Sequence, residues 1–513
     1  YNKKCIMNFF KILTITTATC ILGSCSNFDK INTNPDASTQ VSSKLLATGA
    51  IAGLVKPGSG AGYVDHMFIS KYIAWGEGAR GAQYNDFYRT GFGSYVNLTD
   101  YQLMADLAAE SDKDAYEGLA LFLKAYTLFD LTMSVGDIPC SEILQGEDGL
   151  LTPKYDSQKD VCMYILQILD SAYEKMSRAS DFEGDFIFGG DARQWSKVIT
   201  AYQMRVLMQL SLKVDDVDLK VAERFQSVYN RNMLMESNSD NLQLTFSDKS
   251  GQYFPFHSSN NKHWAYAMVS DYLVEMMKEN HDYRLFYYAK PSQVKLDEGI
   301  SSSSWDAFVG VDPTAPISNV KEAYATRNFS GLNARYIDYI PGEPFIRIGY
   351  SEQNFILAEA ALRGWIKEDP SYFYKKAIRG SFDFINENTP DDEIYHYGNK
   401  LTEEIINTFL ANPNIQLTGN FETDLELIMK QKYIASFMQL PWMPYYDYRR
   451  TGLPKFPINP ETSLNFNAPD KIPVRWQYPE SEISYNKANV EEAIQRQYGG
   501  SDEVNKLMWI LQK

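Results

Sequence analysis

The stretch YSEQNFILAEAALRGWIKEDPSYFYKKAIRGSFDFI, residues 350–385, sets the fold class. Its first half places Phe355, Ala358, Leu362 and Trp365 at offsets 0, 3, 7 and 10, the apolar face of an α-helix over 350–365. Asp369-Pro370-Ser371 then reads as a stop and restart, with Ser371 as N-cap of a second helix over 372–385. Small residues (Ala358, Ala361 and Gly364, then Ala377 and Gly380) stand where two antiparallel helices would cross. That is the plan of a tetratricopeptide unit. The full repeat pattern is met only in part, and no regular period of about 34 residues runs through the chain.

Working outward, the same periodicity recurs. Tyr116–Val135 and Val161–Met176 form an earlier helix pair, with Ala125 and Ala172 as small residues and Gly136, Pro139 and Gly146 in the loop between. Trp195–Val214 carries the stripe Val198, Tyr202, Val206 and Leu210. Two stretches break the rhythm. Leu242–Phe246 reads as a short strand, and Lys290–Pro344 as a long irregular excursion containing Ser301–Ser304, Gly310, Pro313, Pro316, Gly331 and Gly342. Loops of that length tend to be functional. Length alone would allow about three domains, but no Gly/Ser or Pro-rich linker separates any. The expected fold is mainly α: one large helical domain over 42–513, with tetratricopeptide-like hairpins, long loops and a few short strands.

The N-terminus carries a different message. The chain opens on Tyr1, and from Met7 it follows an export pattern: Lys11, then the apolar run Ile12–Leu22, too short to span a bilayer. Leu22-Gly23-Ser24-Cys25 closes it with small residues before a cysteine, similar to the lipobox of bacterial lipoproteins. This predicts an export signal over 1–24 and lipid on Cys25, followed by a polar leash over 25–41. Each buried methylene contributes about 0.8 kcal/mol, so several acyl chains anchor durably. No later segment reaches the ~18 uninterrupted apolar residues of a membrane helix.

The net charge, 49 minus 65 or −16, excludes nucleic acid as a natural partner. The aromatics include 35 Tyr against 28 Phe, and a phenol can bind at a wet surface. Of the five cysteines, Cys5 and Cys20 leave with the signal and Cys25 is acylated. Cys140 and Cys162 remain, and their spacing leaves open whether they pair.

No catalytic constellation emerges. H-E-x-x-H, a nucleophile elbow and C-x-x-C are all missing. Gly58-Ser59-Gly60-Ala61-Gly62 lacks the Lys and Ser/Thr of a phosphate loop and reads as a flexible turn. His66, His257, His263, His281 and His396 share no metal-ligand spacing. Loop carboxylates such as Asp391-Asp392-Glu393 could accommodate calcium, without EF-hand spacing. Glu352 and Glu359 lie two turns apart, about 10 Å by helix rise, wider than either glycosidase geometry. Glu359 faces Arg363 at i,i+4, the spacing of a helix-surface ion pair. No catalytic residue, cofactor or metal ligand is therefore assigned.

Six blocks, in order, resemble the SusD/RagB family of outer-membrane nutrient-binding lipoproteins. They are Asn32-Thr33-Asn34-Pro35, Gly136-Asp137-Ile138-Pro139, Tyr350–Ala360, Gln431-Lys432-Tyr433-Ile434-Ala435, Asp447-Tyr448-Arg449-Arg450-Thr451-Gly452-Leu453-Pro454, and Arg475-Trp476-Gln477-Tyr478-Pro479 with Glu482, Asn486 and Asn489. Asp282-Tyr283-Arg284 departs from the family's Asp-Pro-Arg, which puts a local turn in doubt. In physical terms, Arg449 and Arg450 present rigid forks of donors. Gly452 and Pro454 stop a helix, and Tyr478-Pro479 fixes an extended segment. These groups are expected to lock the C-terminal segments onto the helical body.

The resemblance implies a cell-surface lipoprotein, facing outward from the outer membrane, that captures an oligosaccharide and catalyses no reaction. A partner TonB-dependent transporter of the SusC/RagA kind would receive the cargo, with the lipoprotein as its hinged lid. Peptide capture by the same mechanism is the alternative, and an anchored glycoside hydrolase a more distant one. Sugar binding relies on aromatic faces and a few polar groups in a concave site. The loop aromatics Trp75, Tyr84, Trp264, Trp305 and Tyr324 are the candidate contacts.

Overall fold

The computed structural model describes residues 41–58, 61–146, 148–440 and 442–513. The export signal, Cys25 and the leash up to residue 40 lie outside the described residues, as do Ser59 and Gly60 of the glycine run. The elements used below are numbered in chain order. The first part contains α1 (Ser43–Val55), α2 (Ala61–Ile69), β1 (Ile73–Trp75), α3 (Asn97–Asp106), α4 (Lys113–Val135), α5 (Gln158–Arg178), α6 (Ala192–Gln209) and α7 (Val221–Tyr229). Then come β2 (Leu242–Leu244), β3 (Ala267–Val269), α8 (Asp271–Glu279), β4 (Phe345–Ile348), α9 (Tyr350–Leu362), α10 (Pro370–Glu387), α11 (Phe421–Ala435), α12 (Met443–Thr451) and α13 (Lys487–Tyr498).

Helices dominate, and among the described residues the sheets have two strands each: β1 with β3, and β2 with β4, both antiparallel. The two predicted hairpins, α4–α5 and α9–α10, are the most intimate helix pairs. Close approach needs small residues there. A Cβ on Gly118 of α4 would lie 3.2 Å from the Ala172 carbonyl oxygen of α5, and one on Gly380 of α10 would press on the Tyr350 ring at 2.8 Å. Ala358 and Ala377 are fully buried at the second crossing. One hydrophobic core runs from Ala47 to Leu511. Helix α4 is long and apolar enough to cross a membrane by composition, yet most of it is buried against α1, α3, α5 and α6.

Several local expectations change. The cap of α10 is Asp369, whose carboxylate accepts the Ser371 N–H at 2.9 Å while Pro370 takes the first helical position. Gly364 does not sit at the crossing; it follows the end of α9 with φ of +74°, a backbone that suits glycine. Helix α6 stops at Gln209, and a tight turn over Ser211–Lys213 replaces its predicted last residues. The strand predicted over Leu242–Phe246 ends at Leu244 and pairs with β4 across a bulge. The excursion over 290–344 is not structureless. It holds helices Gln293–Asp297, Ile317–Ala325 and Ala334–Ile337, and bridges from Met268 to Gly331 and Ala289 to Leu332 fasten it to the body.

The C-terminal blocks do lock onto the helical body. Arg449 donates to the carbonyls of Met133 and Val474, both at 2.8 Å. Tyr478 donates to the Asp137 carbonyl at 2.7 Å, and Arg496 reaches the Asp137 carboxylate at 2.9 Å. Asn486 and Asn489 bind the carbonyls of Pro153 and Thr152. Two sequence blocks more than 330 residues apart thus share one joint. Glu359 is not on the surface. It is 1% exposed and receives both Arg363 and Arg450. Glu352 binds Arg205 at 2.7 Å, so neither glutamate is free for chemistry. Asp282 and Arg284 pair while fully buried, and Tyr283 packs on Trp305 in place of a proline.

Candidate functional site

A cleft of about 610 Å³ opens where α2, the segment Ala82–Asn97, α4, β4 and the start of α12 converge. That volume lies in the range of ligand sites. Helical spacing supplies two walls. On α4, Tyr126, Asp130 and Ser134 follow at i+4 and share one face. At α12, Trp442 and Tyr446 have the same spacing and their rings stack within 5° of parallel, with centroids 6.1 Å apart. His66 of α2 lies against Trp442, at 3.6 Å between centroids. Tyr88 stands at the rim, 56% exposed, with its hydroxyl donating to Asp65 at 2.9 Å.

The charged groups divide into two sets. Arg205 is neutralised by Glu352, and Arg89 by Glu480 at 3.0 Å and Asp502 at 3.2 Å. Asp130 and Arg347 have no such partners among the described residues. Arg347 reaches the Lys56 carbonyl at 3.3 Å, but its Nε is buried with nothing to bind. Asp130 is open to the cleft space while protein walls surround it. That enclosure pushes its carboxyl above the usual range, and Arg347 pulls it the other way. Asp65 is likewise raised by burial, against the Tyr88 hydrogen bond and the charge of Arg80. Burial and Arg347 both hold His66 well below its ordinary value, so it is neutral at pH 7. Burial and the adjacent Asp65 push the Tyr88 phenol up to about 12. The cleft therefore offers flat rings, charged acceptors and a guanidinium without a carboxylate partner, the means to hold a hydroxyl-rich ligand with apolar faces.

None of the five aromatics predicted from sequence lines this cleft. Trp75 and Trp264 are each 1% exposed and meet edge to face, with centroids 6.4 Å apart. Tyr324 joins them through Tyr266, at 5.3 Å, so three of the five share one aromatic layer. In this conformation the two indoles present no face to solvent. Tyr84 is buried, donating to the Ala315 carbonyl at 2.9 Å. Trp305 is half-buried and apart from the rest, against Phe286 and His281. The aromatic run Trp442-Met443-Pro444-Tyr445-Tyr446 was the missed signal in the sequence.

Asp391 pairs with Lys400 at 2.5 Å and with His396 at 3.4 Å, while Asp392 caps a short helix. Among the described residues no three His, Cys, Asp or Glu side chains are placed to hold a metal. Cys140 and Cys162 are buried thiols that do not pair.

Comparison with known proteins agrees with this architecture. The sequence model of the SusD-like family, described as "Starch-binding associating with outer membrane", matches residues 62–479. A SusD homolog from Bacteroides fragilis NCTC 9343 is 51% identical, with a TM-score of 0.90 over 92% of this chain and 100% of that one. A candidate outer-membrane protein proposed for nutrient binding, from Bacteroides vulgatus ATCC 8482, is 31% identical, with a TM-score of 0.84 over 92% and 100% of the two chains. A chitin-binding SusD homolog from Flavobacterium johnsoniae shares the fold, with a TM-score of 0.68 at 20% identity over 92% and 99%. No curated protein sequence matches the chain. On the family match and on the identity with the two Bacteroides proteins, the chain belongs to the SusD-like family.

Proposed function

We propose that the protein captures an oligosaccharide in the cleft at Tyr88, Asp130, Arg347 and Trp442. It then delivers this cargo to a partner TonB-dependent transporter of the SusC/RagA kind, acting as the transporter's lid. Lipid on Cys25 holds it at the outer membrane with its body facing outward. The observation that carries the reading is the cleft itself: stacked and exposed rings beside a carboxylate and a guanidinium that form no ion pair among the described residues. A sugar presents C–H faces to the rings and hydroxyls that both donate and accept. The reported chitin binding of a distant relative and the family's starch-binding description are in keeping with this.

Calorimetric titration against oligosaccharide and peptide panels tests it. Saccharide binding is expected, and Tyr88→Ala or Trp442→Ala should weaken it by about five- to tenfold, the worth of one aromatic platform. Binding of peptides alone would move the cargo class. Turnover of the bound saccharide, abolished by Asp130→Asn, would replace capture with hydrolysis. Co-purification with a large β-barrel protein from membranes tests the partner.

A further inference from the structure

The segment Asn85–Thr90 has a second side. One flank, with Asp86, Tyr88, Arg89 and Thr90, lines the cleft; the other, with Asn85, Asp86 and Phe87, lines a groove of about 220 Å³. The far wall of that groove is the loop bearing Leu464, Asn465, Phe466 and Asn467, and Gln477 and Glu503 complete it. Asp86 lines both hollows. The partition between them is firm. Thr90 donates to the Gln477 carbonyl at 3.0 Å, Gln477 donates to the Tyr88 carbonyl, and Phe87 stacks on Trp476 at 4.9 Å.

Phe466 is 81% exposed and meets no other ring among the described residues. A single exposed phenylalanine is ordinary, but this one is held out by its backbone. Leu464 donates to the Tyr84 carbonyl at 2.7 Å, and Thr462 donates to the Thr314 carbonyl at 2.7 Å. The buried side chain of Asn465 binds the Lys471 carbonyl at 3.0 Å and exchanges amide hydrogen bonds with Asn505 at 2.8 Å. These bonds fix the backbone on either side of the exposed ring. Around it stand Asn467, which makes no hydrogen bond among the described residues, and Glu503, whose Oε1 accepts from Asn505 at 2.6 Å while Oε2 stays free.

We propose that this groove is a second saccharide subsite, lying over the wall at Asp86 from the cleft, so that ligands long enough to cross that wall gain affinity from it. The inference rests on the saccharide reading of the cleft. A sugar ring lies on Phe466 while its hydroxyls meet Asn467, Glu503 and Asp86.

The test uses the full chain and ladders of malto-, cello-, xylo- and chito-oligosaccharides, from disaccharides to heptasaccharides, by calorimetry. For the series that binds, affinity is expected to rise with length. Phe466→Ala should weaken the longest members by about tenfold and leave the shortest unchanged, and Phe466→Tyr should retain the gain. Tyr88→Ala should weaken every length. Because Phe466 is exposed, its removal leaves the packing intact. Tyr88-dependent binding that shows no length gain, or no effect of Phe466→Ala at any length, overturns the subsite and leaves the cleft standing. Failure of every series to bind the unaltered chain overturns the cleft reading and the subsite together. Phe466→Ala that reduces only co-purification with a β-barrel protein assigns the ring to a protein contact and also overturns it.

Discussion

Replacing Arg450 with Met removes the centre of a buried ionic network. Arg450 donates to both Glu359 oxygens, to Asp447 at 2.8 Å and to Ser211 at 3.1 Å, with its side chain 1% exposed. Burial pushes the Glu359 carboxyl up, but the charges of Arg450 and Arg363, the Arg450 hydrogen bonds and Lys432 outweigh it and hold the group at about 2. Against the ordinary value of 4.5, that is worth about 3 kcal/mol. The folded value is depressed, so this stability is present above pH 4.5 and is lost as pH falls toward 2. Without Arg450, Glu359 keeps Arg363 and the charge of Lys432, and Asp447 keeps Lys432 at 2.8 Å. Removing one partner of a buried pair costs about 3–5 kcal/mol. Arg450→Met should therefore lose that much in urea unfolding near neutral pH. On acidification the deficit should shrink. The buried Glu359 left without Arg450 is raised by burial and takes up a proton that removes the orphaned charge, while the unaltered protein loses the stability of its depressed carboxyl. Glu359→Met combined with Arg450→Met should recover much of the loss, because two apolar groups leave no orphaned charge. A single-variant loss below about 1 kcal/mol, with no acid sensitivity and additive behaviour in the double variant, would refute the reasoning.

Lys71 is fully buried, donating to the Gln83 carbonyl at 2.8 Å and to Asn85 at 2.9 Å, and burial lowers it from 10.5 to about 7 against the pull of Asp312. The unfolded chain binds the extra proton between those values, so stability should rise with pH from about 7 to 10.5, by up to about 5 kcal/mol. Thermal melts of Lys71→Met should lack that slope; an unchanged slope sinks the assignment. A Cβ at Gly190, where φ is +88°, would overlap the Phe182 carbonyl oxygen. Gly190→Ala should thus cost about 2–4 kcal/mol, read by denaturant midpoint. Burial pushes the Cys140 and Cys162 thiols up to about 12. A thiol reagent should label neither in the folded protein and both after unfolding; native labelling at the unfolded rate contradicts this.

The spacing of Phe355, Ala358 and Leu362 marked a helix, but not its burial: every residue from Glu352 to Ala361 is buried, because α6, α10 and α11 pack around it, while Leu362 is only half-buried. Ends were harder. Pro370 already has the φ of a first helical residue, which moves the cap back to Asp369. Gly364 fits a crossing and a helix stop equally well on residue type alone. The candidate site was mostly illegible for a different reason. Asp65, Asp130, Arg347 and Trp442 come from four separate elements, and no linear spacing brings them together. The aromatics chosen from loops belonged to segments that fold back onto the body, so Trp75 joins a strand and Trp264 sits beneath it.

Most of the buried arginines of the scaffold are answered by carboxylates. Arg205, Arg284, Arg335, Arg450 and Arg475 are all buried and each meets a carboxylate. Asp130 and Arg347 face one cleft, carry opposite charge and feel each other, yet form no ion pair. One projects from the long core helix α4 and the other from β4. A hydroxyl between them would donate to the carboxylate and accept from the guanidinium, satisfying both at once. Asp130→Asn and Arg347→Gln should then each weaken saccharide binding by at least about fivefold. Made together, they should weaken it by less than the product of the two, because the second change removes half of a bridge already broken. Enclosure by the cleft walls raises the Asp130 carboxyl, so binding by the unaltered protein should weaken on mild acidification while Asp130→Asn responds less. Strict additivity with identical pH profiles would mean the two groups act separately, and the ligand's seat would have to be sought elsewhere in the cleft.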